Sequence, residues 1–176
     1  WRHRCQHTSW YRETLNTSTR GATRKFPAVA VIIVESGKVI IYDGDDPTLP
    51  MWMVFNTYVS HSQFIGYSNG GWVKAMQMKN GVFVVATTGQ STNASINGLS
   101  EANFVSDALS KYRSDGYRKS PNGIEDRNKN TGNEWNVLTP SPIRGGLASS
   151  FPSEVAMTVL PNAPIDPLTG LSTPTI

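Results

Sequence analysis

The stretch that decides the fold is WVKAMQMKNGVFVVATT, residues 72–88. It contains two apolar, strand-like runs with the pair Asn80-Gly81 between them. Because Asn and Gly both tolerate a positive φ, this pair between two such runs is the strongest short-range signal of a β-hairpin. We therefore predict a hairpin over residues 72–88. Alternation within its first run predicts one strand face made of Trp72, Lys74, Met76 and Met78.

A second hairpin is predicted closer to the start of the chain. Residues 28–34 and 38–42 are Val- and Ile-rich runs, and Ser36-Gly37 between them is a turn pair. Residues 101–112 fit either a helix or a strand around residues 103–105 followed by a turn, since short apolar clusters do not distinguish the two. Four further stretches are strand candidates: residues 51–59, 63–67, 155–160 and 174–176.

The composition favours a mainly β protein. The chain has 176 residues, of which 16% are charged and 38% hydrophobic, with 15 Gly and 11 Pro. The low charge and many turn-forming residues exclude a coiled coil or helical bundle, and the hydrophobic content excludes disorder. We predict antiparallel strand-turn-strand units in a propeller-like or sandwich-like arrangement, with long loops and little helix.

Four regions are expected along the chain. Residues 1–26 form a basic N-terminal strap, and residues 27–112 form the β-rich core units. Residues 113–150 are nearly all loop-like, with several Gly, Pro and Asn clusters. Residues 151–176 begin a further β unit that continues beyond the chain.

Basic residues are concentrated at the start of the chain. Such a stretch either docks onto an anionic partner or is a solvated surface strap. No nucleic-acid-binding motif follows it, so nucleic acid is not an expected partner. No run of 18 apolar residues occurs, and we predict no membrane span. The cations of the first 25 residues are Arg2, Arg4, Arg12, Arg20, Arg24 and Lys25, with Glu13 the single acid among them.

Two clusters contain side chains that can bind metals. In an extended strand His3, Cys5 and His7 would point the same way, but a structural zinc site needs a fourth ligand. Asp43, Asp45 and Asp46 could bind calcium, but acidic residues are also common in turns for conformational reasons. We predict neither a metal site nor a cofactor.

Enzymatic activity is not predicted. A glycan hydrolase needs two carboxylates about 5–10 Å apart, and this sequence has several candidates but no recognisable catalytic motif. The candidate carboxylates are Glu35, Asp43, Glu125, Asp126 and Glu134.

Four aromatic residues have two interpretations. They could form a platform on which a sugar ring stacks, or they could belong to the hydrophobic core beside the neighbouring methionines. The four are Trp52, Tyr58, Tyr67 and Trp72.

Several stretches resemble large virion proteins of marine tailed bacteriophages: residues 21–31 (GATRKFPAVAV), 41–47 (IYDGDDP), 49–55 (LPMWMVF) and 156–166 (AMTVLPNAPID). The resemblance extends over most of the chain from residue 21 onward. In that group such a stretch belongs to a propeller-like region, often followed by a lectin-like sandwich domain.

The resemblance implies a structural tail or fibre component of the virion, acting in assembly or host attachment. Its expected partners are other virion proteins, copies of itself and a cell-surface glycan. The alternative functions are a glycan- or receptor-binding module and a glycan-degrading tailspike-like enzyme.

Overall fold

A computed structural model describes residues 5–35, 38–56, 64–65, 72–88, 97–113, 116–129, 136–138, 147 and 151–176. Within these ranges nine strands form two antiparallel sheets, and helix is confined to one short α-helix and one short 3-10 helix. This confirms the predicted mainly β, antiparallel fold class with little helix. One sheet has three strands and the other has six, and in both sheets the strands lie side by side in chain order.

The helices and strands follow one another along the chain in two groups. The N-terminal part contains α1 (Ser9–Arg12), β1 (Ala30–Glu35), β2 (Lys38–Asp43) and β3 (Met51–Asn56). The six-stranded sheet contains β4 (Trp72–Lys79), β5 (Val82–Thr88), β6 (Gly98–Asn103), β7 (Ala108–Arg113), β8 (Gly116–Lys119) and β9 (Asn136–Leu138). The 3-10 helix, Gly123–Asn128, lies between β8 and β9.

The hairpin predicted over residues 72–88 is confirmed. Asn80 and Gly81 have φ values of 50° and 77°, and the pair Lys79 and Val82 closes the ladder. The predicted faces of β4 are wrong at its start, because a bulge shifts the register between Val73 and Ala75. As a result, Val73 packs against the core together with Met76 and Met78.

The hairpin near the start of the chain is also present, with β1 pairing along its whole length with β2. The strand starts at Ala30, two residues later than predicted. The Asp45 carboxylate accepts hydrogen bonds from the N–H groups of Ala28 (2.9 Å) and Val29 (3.1 Å), so a side chain takes the place of a ladder partner.

Two other strand predictions are only partly testable. β3 agrees with the start of the predicted strand 51–59, and residues 57–59 lie outside the described residues. Of the predicted strand 63–67, only Phe64 and Ile65 are described, and both lie in a bend.

The helix alternative for residues 101–112 is wrong. The segment contains the end of β6, a turn and most of β7. The turn forms because Asn103 Oδ1 accepts the N–H groups of Val105 and Ser106, both at 3.0 Å. Asp107 completes it with a φ of 54°. An asparagine side chain thus provides the acceptor that would otherwise be a helical carbonyl.

The prediction that residues 113–150 are nearly all loop is wrong in its described parts. β8 pairs with β7 and β9 pairs with β8, so this region extends the six-stranded sheet. These strands were missed because they are short and β8 (Gly-Tyr-Arg-Lys) has no apolar alternation.

The prediction of a strand over residues 155–160 is also wrong. Thr158 forms one isolated bridge with Thr175, and the surrounding residues have no ladder. The segment is held instead by Met157, which packs on Val82 and Val84 of β5.

The main core lies between the two sheets and is rich in aromatic side chains. Phe55 of β3 lies 5.5 Å from Phe83 of β5, measured between ring centroids. Trp10, Phe26 and Phe104 fill one end of the same core. Since Met157 covers the other side of β5, this strand is buried on both faces.

Candidate functional site

Trp52 cannot belong to an aromatic platform for a ligand. This side chain is fully buried. Its ring centroid lies 5.0 Å from the ring centroid of Phe26 and 4.6 Å from Cζ of the Arg20 guanidinium. No face of its ring is open to a ligand. Tyr58 and Tyr67 lie outside the described residues, and Trp72 is described only as the first backbone position of β4.

The N-terminal His and Cys residues do not share a strand face where they are described. His3 lies outside the described residues. Cys5 is buried, and burial raises the pKa of its thiol, whereas His7 is exposed in a turn. The extended geometry that would align the side chains is therefore not present at Cys5 and His7.

The three acidic residues at the end of β2 and in the turn that follows it serve the turn itself. Asp45 binds the N–H groups ahead of β1, and Asp43 Oδ1 accepts the N–H of Asp45 at 3.0 Å. Asp46 Oδ1 accepts both the N–H and the hydroxyl of Thr48, and these bonds lower the pKa of this exposed carboxyl. The turn interpretation accounts for all three carboxylates.

The remaining candidate carboxylates have structural contacts. Glu35 Oε2 lies 3.1 Å from Lys38 Nζ at the turn of the β1–β2 hairpin, and Glu125 Oε1 lies 2.9 Å from Lys129 Nζ. Burial opposes ionisation of Asp126, but hydrogen bonds from Ser120 and Lys129 hold the pKa of its carboxyl below the ordinary value. Glu134 lies outside the described residues. Across the described ranges, no three His, Cys, Asp or Glu residues group as metal ligands would.

The basic N-terminal region is not simply a solvated strap, because part of it is built into the core. Arg20 is 1% exposed and donates to the Trp52 carbonyl at 2.6 Å. Glu13 lies 3.6 Å from Arg20 and forms two contacts with the buried Arg127. Burial lowers the pKa of Arg20 to about 10, while Glu13 opposes this decrease. These charges hold the N-terminal segment onto β3 and the 3-10 helix, so they do not form a free surface for an anion.

A second group of cations lies on the inner side of the six-stranded sheet. Lys111 is 4% exposed and pairs across the strands with Arg118, and Arg113 lies on the same face of β7. Burial, with Arg113 and Arg118 nearby, lowers the pKa of Lys111 to about 7. This group could not be predicted from the sequence, because Arg113 and Arg118 lie in the region predicted to be loop and Lys111 lies in a segment that fitted either a helix or a strand followed by a turn.

The strongest candidate for a functional surface is the outer edge of β1. The Gly44 N–H donates to the Val29 carbonyl at 2.8 Å, which fixes the direction of the backbone groups. Since these groups alternate along an antiparallel strand, the odd-numbered residues of β1 face β2. The even-numbered residues Ala30, Ile32 and Val34 direct their N–H and C=O groups away from it. Among the described residues, β1 pairs only with β2.

Aliphatic side chains accompany these outward backbone groups. Val29 is 57% exposed, Ile33 42% and Val34 44%. Exposed aliphatic residues along an open strand edge are a template for pairing with another chain. The sequence contains a signal for this edge, the unbroken apolar run Val31-Ile32-Ile33-Val34, but such a run also fits a strand buried on both faces.

No protein-family model, curated protein or solved structure matches the chain. No helix within the described ranges is long and apolar enough to cross a membrane.

Proposed function

We propose that the chain is a non-enzymatic structural protein of a bacteriophage virion, a tail or fibre component acting in assembly or host attachment. The observation that carries this proposal is the edge of β1, which no other described strand covers and which has outward backbone groups at Ala30, Ile32 and Val34 and exposed aliphatic side chains beside them. Proteins that act alone usually protect such edges with charges, bulges or covering segments. The partners are copies of this chain or neighbouring virion proteins.

The resemblance to virion proteins of marine tailed phages supports the virion as the location. The burial of β5 on both faces adds to this support. Met157 covers β5 on one side and the aromatic core covers it on the other, so this strand offers no face to a neighbouring protein, whereas the edge of β1 offers backbone groups.

Labelling of intact particles tests this function. Antibodies raised against the chain and coupled to gold should bind phage particles that encode it, at the tail or its fibres. Particles of an unrelated phage serve as the control. Absence of the chain from purified virions, by both labelling and mass spectrometry, would exclude the proposal.

A second candidate function, binding of a glycan or receptor, is favoured by one cavity. A cavity of about 330 Å³ lies between the outer face of the six-stranded sheet and the end of the chain. It contains Glu101, which is 8% exposed, and the hydroxyl of Tyr112 donates to Glu101 Oε2 at 2.7 Å. This volume is within the range of small-molecule sites, and carboxylate and phenol groups can bond to sugar hydroxyls.

A glycan array with the wild type and a Tyr112→Phe variant tests this second function. Binding that the variant weakens would support it, whereas an array with no signal for the wild type would exclude it. Incubation with host polysaccharide tests the enzymatic alternative, and we expect the length of the polysaccharide to stay unchanged.

A further inference from the structure

Two strand edges border one opening of the sandwich. β1 is an edge strand of the three-stranded sheet, and β4 is an edge strand of the six-stranded sheet. A cavity of about 260 Å³ lies between the start of β1 and the turn that joins β4 to β5. Its walls include Phe26, Ala28, Ala30, Met78 and Leu171. Lys79 and Asn80 also line it, so the gap between the sheets has apolar side chains and polar groups side by side next to the edge of β1.

The core-facing side of β1 is uneven in size. Ala30, Ile32 and Val34 share this side, since residues two apart point the same way. Ala30 is small and lines the cavity, whereas Val34 at the other end of the strand is 44% exposed. One end of the strand thus leaves space unfilled, and the other end leaves an aliphatic group in water.

The ends of the edge limit how another strand can pair with it. Before Ala30, the carboxylate of Asp45 occupies the N–H groups of Ala28 and Val29. At the other end, Glu35 and Lys38 form an ion pair at the hairpin turn. The available edge is therefore short and is centred on Ile32.

A second copy of β1 satisfies this edge when it runs antiparallel with Ile32 opposite Ile32. This register pairs all three outward-facing residues at once, and it places Ala30 opposite Val34 in both directions. Because directly opposite residues in an antiparallel pair have neighbouring side chains, Val34 of each copy would lie next to Ala30 of the other. The exposed group of one copy then reaches the unfilled space of the other.

We propose that two copies of this chain associate through β1, antiparallel about Ile32, with Val34 of each copy entering the cavity beside Ala30 of the other. The contact is isologous, as in most two-fold symmetric dimers. It joins two three-stranded sheets into one six-stranded sheet. The inference rests on the proposed assembly function, since it assigns the partner and register of the same edge.

Disulfide trapping tests this register. In the Ile32→Cys variant, the two new cysteines would face each other with Cα atoms about 5.5 Å apart, which suits a disulfide. Ile33→Cys is the matched control, because it lies on the opposite face of β1 and does not pair with itself. The native Cys5 is 1% exposed, so it contributes little background. We expect Ile32→Cys to form a covalent dimer at least tenfold faster than Ile33→Cys.

An Ala30→Leu variant gives a second measurement that does not depend on new cysteines. The leucine would fill the cavity from within its own chain and exclude Val34 of the other copy. Light scattering after size-exclusion chromatography should then show dimer dissociation at a concentration at least tenfold higher than for the wild type.

Equal cross-linking of Ile32→Cys and Ile33→Cys would overturn the proposed register. A wild type that assembles but responds to neither Ile32→Cys nor Ala30→Leu would overturn the β1 contact while leaving the assembly function intact. Labelling of virions is independent of both variants, so its failure would count against the virion function alone.

Discussion

Glu13 lies between two buried guanidinium groups, those of Arg20 and Arg127. Its carboxylate compensates charges that are 1% and 3% exposed and that connect the N-terminal segment to β3 and the 3-10 helix. Removing one partner of such a group leaves uncompensated charge in a poorly solvated place, which costs more than the ion pair itself contributes.

A Glu13→Gln variant should therefore lower the free energy of unfolding by about 3 kcal/mol, as measured by urea denaturation. Glu125→Gln is the matched control, because Glu125 pairs with Lys129 at the surface and its loss should cost less than about 1 kcal/mol. Equal effects of the two variants would mean that the buried position of the Glu13 group has no energetic consequence.

The lowered pKa of Lys111 predicts that the stability of the fold depends on pH. Burial lowers its pKa from 10.5 to about 7 in the folded protein. Between these two values the unfolded chain holds a proton that the folded chain has lost, so stability rises with pH across this window. Below pH 7 both states are protonated, and the folded protein carries the full cost of the buried charge.

A Lys111→Met variant should remove this dependence and gain stability mainly at the acidic end of the window. Urea denaturation of both proteins from pH 6 to pH 9 measures the difference, in which the titration of other groups cancels. If the wild type and the variant show parallel pH profiles, the side chain of Lys111 keeps its proton in the folded state.

At the scale of the elements, the turns fix where strands and helices begin. The 3-10 helix starts at Gly123, whose φ is 75°. A Cβ at this position would lie 2.6 Å from the Asp107 carbonyl oxygen and 2.7 Å from its carboxylate. Asp107 also accepts hydrogen bonds from Ser9 and Ile124, so it joins α1, the β6–β7 turn and the 3-10 helix.

Two glycine variants separate the steric cost from the conformational cost. Gly170 has a φ of 71° but nothing within 4 Å of an added Cβ. Gly170→Ala should therefore cost about 1–2 kcal/mol from the left-handed backbone alone. Gly123→Ala should cost clearly more, about 3 kcal/mol, because Asp107 must also move. Thermal and urea denaturation measure both, and similar losses would show that the Asp107 contact adjusts without cost.

The predictable elements were those with local signals. Asn80-Gly81 between apolar runs was sufficient to predict the β4–β5 hairpin, and the Val- and Ile-rich runs predicted β1 and β2. β8 could not be predicted, because its pairing with β7 depends on the rest of the sheet and its own residues are polar. The same limit applies to the candidate site, since an apolar run does not show which side of a strand lacks a neighbour.

At the scale of the whole molecule, both ends of the chain pack onto the sandwich. The N-terminal segment places Trp10 in the core, and the C-terminal segment places Met157 on β5. Met157 covers the outer face of β5, and within the described part of the chain neither segment pairs with the edge of β1. Association is therefore expected through the edge, where one strand can add backbone hydrogen bonds and alternate side chains.

Amide hydrogen exchange at β1 tests this central claim most directly, with Val34→Pro as the comparison. Proline at residue 34 removes an N–H that points away from β2, so it blocks pairing with another strand and leaves the β1–β2 ladder intact. At high protein concentration, the amides of Ala30 and Ile32 should exchange at least tenfold more slowly in the wild type than in the variant. Equally fast exchange of these two amides in both proteins would contradict the assignment of the β1 edge as an assembly surface.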